Sequence, residues 1–122
     1  MKRIIFNLKR EWYDKIASGE KIVEYRSLVA KNGKRSKWCA IFGMDPDRYY
    51  HHGHPSWEQN KAYESHILYM NPVDWFAVFR LGYSRKYPDI VRNIWMIDIG
   101  SCPYPGWDGD YFRIHFAGKE KS

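Results

Sequence analysis

The first 27 residues switch backbone period twice, and this constrains the fold more than any bulk property of the chain. Ile4, Phe6 and Leu8 alternate with Ile5 and Asn7, the two-residue period that buries one face of a sheet, so residues 3–8 are expected as a strand. The period then lengthens at once. Leu8, Trp12 and Ile16 recur every four residues with Tyr13 and Ala17 beside them, the stripe of an amphipathic helix. Asn7 is placed to cap its start and Gly19 to end it in the left-handed conformation. Ile22, Val23 and Tyr25 favour extended backbone, so residues 21–27 return as a strand.

Beyond this point Asn32-Gly33 marks a solvated turn, and residues 37–42 are expected as a third strand. Residues 43–55 are rich in turn formers and carry no defensible period. Ser56 with Gln59 forms a capping-box pattern for a second helix, with Trp57, Tyr63, Ile67 and Met70 near one side and Asn71-Pro72 as its end. Residues 75–81, 91–99 and 111–117 read as strands. The polar residues 82–88 join the first two, and residues 101–110, with two prolines and two glycines around Trp107, form an irregular loop before the third. About six strands and two or more helices describe an α+β chain, a small β-barrel or curled sheet with helices packed against it. A length of 122 residues suits one domain, 1–122.

Composition narrows the function classes. Nine glycines and six prolines are too few for a collagenous or disordered chain. No apolar run approaches the roughly 20 residues of a membrane span, and Asn7, Lys9 and Arg10 interrupt the N-terminal apolar stretch before a signal core forms. Cys39 and Cys102 lack metal-ligand spacing and fit a reducing compartment, so the expected location is cytoplasmic. Residues 1–37 hold eleven Lys/Arg against four Asp/Glu, while the other 85 hold nine against ten. The whole net charge of +6 therefore lies in the first third, where a polyanion would be drawn. With an aromatic content of 18%, this combination suits nucleic acid, whose phosphates need cations and whose bases stack on flat rings. Phosphate-binding loops, nucleophile elbows and dinucleotide fingerprints are missing.

The densest group of chemically capable residues is Gly19-Glu20-Lys21-Ile22-Val23-Glu24-Tyr25-Arg26. In an ideal strand Ile22, Glu24 and Arg26 share one face, and Lys21 falls on the other unless the turn after Gly19 rotates it round. The alternative is a charged edge strand with a surface salt bridge. His51, His52 and His54 are close enough to bind zinc but adjacent histidines in a strand point apart, so a solvated loop and no metal site is the expectation. Cys39 reads as a small core residue.

The same octapeptide, preceded by the helix of residues 11–18, resembles the Gly-x-Lys-x-x-Glu-x-Arg signature of the ASCH domain family, small proteins with a PUA-like β-barrel. Phe79-Arg80-Leu81-Gly82-Tyr83, the strand ending at Ile99-Gly100, and Trp107 are similar to a second pattern in ASCH proteins of phages and other mobile elements. The resemblance runs from Ile4 to about Phe116, with residues 44–70 as an insertion. It implies binding of RNA or a modified nucleoside in a cleft beside the motif. From charge and reach, Lys21 and Arg26 are expected to hold a phosphate or carbonyl oxygen, Glu24 to accept a base or sugar proton, Arg80 and Tyr83 to line the opposite wall and Trp12 or Trp107 to stack; no cofactor is expected. The plainer alternatives are Arg80 as an anchor for a loop carbonyl, Trp12 as a core residue of the helical stripe and Trp107 as a packing residue. Some family members are hydrolases that remove the acetyl group of N4-acetylcytidine, and a ribonuclease activity is attributed to another. Lys21 matches their catalytic lysine, whereas Glu24 replaces their threonine. A carboxylate can act as general base but cannot form the same ester, so the threonine mechanism does not carry over. A third expectation is a mobile-element accessory protein that binds a host protein through residues 44–70.

Overall fold

The computed structural model describes residues 1–46, 69–82 and 86–119. The strand Lys2–Leu8 (β1) buries Ile4, Phe6 and Leu8 and exposes the residues between them, as alternation requires. The helix Arg10–Ser18 (α1) follows after one residue, and Gly19 ends it at φ 87°. Its start differs from expectation. The cap position is Lys9, extended and without a side-chain cap bond, and its carbonyl accepts from the N–H groups of Trp12 and Tyr13. Because Leu8 still belongs to β1, the helix turns Tyr13 and Ile16 inward and leaves Trp12 half-buried.

The strand Val23–Ser27 (β2) comes next. Residues 37–42 are a correction: Lys37–Phe42 is a helix, α2, not a strand. Its buried residues are Trp38, Cys39 and Phe42, a helical spacing that a two-residue period cannot produce. Gly43 adopts φ 66° and donates its N–H to the carbonyls of Cys39 and Ala40, a left-handed stop that any residue with a Cβ resists. The Trp38 and Phe42 rings stack at 5.6 Å, one turn apart. A second correction concerns Met70, expected at the end of a helix. Tyr69–Met70 is a short strand, β3, paired antiparallel with Asp98 and Ile97. The rest of the expected helix from Ser56 lies outside the described residues, as does most of the 44–70 insertion.

The strands Trp75–Leu81 (β4), Ile90–Ser101 (β5) and Asp110–Phe116 (β6) complete the α+β architecture. The hydrogen-bonded order is β1-β4-β5-β6-β2, with β3 on β5. β1 runs parallel to β4 in the register Ile4–Ala77 and Phe6–Phe79, and β4 runs antiparallel to β5 in the register Ala77–Arg92 and Phe79–Ile90. No helix among the described residues is long and apolar enough to cross a membrane.

The chain divides into two compact units. The first comprises residues 1–24, 71–96 and 114–122. Its core is built on Phe79, whose ring lies 5.5 Å from Phe6 and 4.7 Å from Phe116. The second comprises residues 25–70 and 97–113. Its core is built on Phe42, edge-on to Phe112 at 5.2 Å.

A glycine in β5 of the second unit has a packing reason. A Cβ on Gly100 would lie 2.4 to 2.7 Å from the guanidinium of Arg113. That group crosses the vacant position to donate to Asp98 through Nε at 2.9 Å and through Nη2. Gly100→Ala is therefore expected to destabilise the protein by about 1–3 kcal/mol. In an Arg113→Ala background, where the clash is removed, the same change costs little. Urea unfolding of the two single variants and the double variant measures this coupling.

Candidate functional site

Lys21 and Glu24 are brought together by the backbone rather than by strand alternation. The Lys21 N–H donates to the Lys15 carbonyl at 3.0 Å, prolonging the turn at the end of α1, and β2 begins only at Val23. This is the rotation that strand geometry required of Lys21. Its Nζ stands 2.8 Å from Oε1 of Glu24, and each side chain is only 6% exposed. The surface salt bridge weighed as the alternative is thus excluded: the pair is buried.

Trp12 joins them. The Lys21 ammonium lies 4.5 Å from the centre of the indole, and the Lys15 ammonium lies 5.4 Å from the same ring. The quadrupole of an indole face attracts cations, more so as water is removed. Trp12 is therefore a cover on Lys21 rather than the core residue its helical stripe suggested. Lys15 was not among the expected site residues, although its place three positions after Trp12 on a helix is the signal that would have found it.

The other expected residues have different settings. Arg26, in the second unit, places its guanidinium carbon 5.1 Å from the Trp38 ring, which also receives the Lys37 ammonium at 5.0 Å. Arg80 forms a two-pronged bond to Asp89, Nε to Oδ1 at 3.1 Å and Nη2 to Oδ2 at 2.9 Å. This is the loop-anchor role, filled by a carboxylate, and it raises the pKa of Arg80 through the hydrogen bond and charge of Asp89. The same connection is fastened to α1, where Arg10 donates to the Tyr87 hydroxyl at 2.7 Å and the Tyr13 hydroxyl donates to the Pro88 carbonyl. Tyr83, His51, His52 and His54 lie outside the described residues.

Trp107 is 39% exposed. It meets Tyr104 at 5.8 Å and Tyr111 at 5.5 Å, and Tyr104 in turn stands edge-on to Tyr25 at 5.4 Å. Two cavities of about 710 and 700 Å³ open in the second unit. The first is lined by residues including Cys39, Phe42 and Met70, the second by residues including Lys34, Asp108 and Tyr111. None of the expected site residues is among their described lining. Cys39 and Cys102 are buried free thiols, and the Cys39 thiol donates to the Leu28 carbonyl, which is the core role expected of Cys39. Among the described residues no group of three or more His, Cys, Asp or Glu is placed to hold a metal ion.

The buried pair sets a stability test. Lys21→Met removes the ammonium that stands 2.8 Å from the buried Glu24 carboxylate and is expected to cost about 3–5 kcal/mol. Replacing both residues, as Lys21→Met with Glu24→Leu, removes both charges and should recover most of that loss. Chemical denaturation of the wild type, both singles and the double decides it: additive losses would show that the pair is not coupled. In comparisons with known proteins the sequence matches no family model, and no curated protein and no solved structure is found similar to it.

Proposed function

We propose that this chain is an ASCH-like domain of PUA-like fold that binds RNA or a modified nucleoside through Lys21 and Glu24. The observation that carries the reading is the buried ion pair under an indole. An ammonium donates and a carboxylate accepts, so the two together match the mixed donor and acceptor edge of a nucleobase or the hydroxyls of a ribose. Trp12 supplies a flat ring beside them of the kind on which unpaired bases stack. The excess of cations in residues 1–37 supplies the long-range attraction for phosphate. Arg26 adds a further cation on the strand that carries Glu24. Trp107, half-exposed among tyrosines, is a second ring suited to stacking.

The reading predicts association with single-stranded RNA, weakening about tenfold or more between 50 and 200 mM salt. Lys21→Ala and Arg26→Ala are each expected to weaken it further. Fluorescence anisotropy with labelled RNA, at temperatures where each variant is shown to be folded, measures both effects. Absence of any affinity for RNA or nucleosides at low salt refutes the proposal.

One observation favours a second reading, in which the protein is a hydrolase of an acylated nucleobase or of RNA. At 2.8 Å the Lys21 Nζ and Glu24 Oε1 are within proton-transfer distance, the geometry required of an acid-base couple. Incubation with N4-acetylcytidine and with RNA, followed by mass spectrometry, should then give cytidine or cleaved chains, and Glu24→Gln should abolish the product. Failure of the wild type to turn over either substrate removes this reading and leaves binding in place.

A further inference from the structure

Four of the described arginines reach a carboxylate: Arg10 with Asp14, Arg35 with Asp45, Arg80 with Asp89 and Arg113 with Asp98. Arg92 does not. It lies on β5 between the exposed residues Val91 and Asn93, in phase with the buried Ile90 and Ile94. Its partner across the sheet is Ala77, fully buried, whose own neighbour in β1 is Ile4. Strand alternation therefore starts the Arg92 side chain on the apolar face of the sheet. Its Nε is buried with no hydrogen-bond partner, and its Nη1 donates to the carbonyl of the preceding Val91 at 3.1 Å. Among the described residues no acid balances its charge.

Arg92 is half-buried, and its buried Nε has no hydrogen-bond partner among the described residues, so the group keeps donor capacity for an anion. Its planar fork of donors matches a phosphate in two-point contact. Its position connects it with the pair already described. The Ala117 N–H donates to the Asn93 carbonyl at 2.8 Å and the Phe116 N–H to the Ile22 carbonyl at 3.1 Å. The end of β6 is thus flanked by Asn93 and Ile22, two strand spacings or roughly 10 Å apart. Arg92 and Lys21 are the chain neighbours of these two residues. Long side chains starting at that separation can address the phosphate and the base or sugar of a single nucleotide.

We infer that Arg92 holds a phosphate of the ligand that Lys21 and Glu24 engage, so that the ligand is phosphorylated rather than a bare nucleoside. The inference rests on the RNA- or nucleoside-binding reading above. The phosphate is either the terminal group of a mononucleotide or a phosphodiester of an RNA chain, and the test separates the two.

Calorimetric titration at low salt compares N4-acetylcytidine and the four common ribonucleosides with their 5′-monophosphates and with a short single-stranded RNA, for the wild type, Arg92→Met and Arg92→Lys. For the wild type, at least one phosphate-bearing probe should bind tenfold or more tightly than the parent nucleosides. Arg92→Met should reduce that gain to threefold or less without changing nucleoside affinity, and Arg92→Lys should retain part of it. A gain shown by monophosphates identifies a terminal phosphate, and one shown by RNA alone identifies a phosphodiester. If no phosphate-bearing probe exceeds the nucleosides in the wild type, or if the gain survives intact in Arg92→Met, the role of Arg92 is refuted while the nucleoside-binding reading stands. If no nucleoside, nucleotide or RNA binds at all, both are refuted. Where Arg92→Met fails to fold, Arg92→Lys, which keeps the charge and loses the planar fork, carries the test: the gain should fall, and a gain left intact refutes the role of Arg92.

Discussion

The burial of Lys21 against Glu24 is the constraint on which the functional reading turns. At 2.8 Å and an effective dielectric near 20, the attraction between unit charges is of order 6 kcal/mol. Removing each ion from water costs several kcal/mol. The two effects nearly cancel, so the pair is a poor source of net stability, and an apolar pair of similar volume would serve packing as well. What the apolar pair could not supply is a donor and an acceptor held at a fixed separation. The chemistry of the two side chains, rather than their energy, is the stronger physical reason for their presence where, among the described residues, Ser36 is the one other buried polar residue.

The cation-aromatic contacts bear on the same point. Lys2 lies over Trp75, Arg10 over Tyr87, Lys15 and Lys21 over Trp12, and Arg26 and Lys37 over Trp38. A ring face occupied by the protein's own cation is closed to a base until that cation moves. On a Trp12 face covered by an ammonium, stacking requires that the cation move aside, which an anionic group of the ligand favours. The Trp107 ring, which among the described residues meets only Tyr104 and Tyr111, carries no such condition.

The long strands are legible from seven or more residues of extended pattern, alternating in β1 and β6 and a continuous apolar run in β4: β1 and β4 are located to within a residue, and β5 and β6 to within two. The failures have equally local causes. Lys37–Phe42 is under two helical turns, too short for the 3.6-residue period to separate from alternation, and its aromatic and branched residues favour either state. The pairing of Tyr69–Met70 with β5 is a tertiary contact between segments more than twenty residues apart, which no local pattern encodes. Trp12 lies on the expected apolar stripe, but with Leu8 retained in β1 the helix starts two residues later, at Arg10, and buries Tyr13 and Ile16.

The candidate site was legible as composition and not as geometry. The octapeptide shows a cluster of ionisable residues, yet whether Lys21 faces Glu24 turns on the backbone bond from the Lys21 N–H to the Lys15 carbonyl, after which β2 begins only at Val23. Arg92 shows the reverse case. The sequence singled out nothing at this position; its phase with the buried Ile94, its pairing opposite Ala77 and the lack of an acid beside it among the described residues come from the structure. The informative feature was a missing partner. Pattern reading registers the residues that are present, whereas a charge that lacks a partner among the described residues is visible only from how those residues are placed.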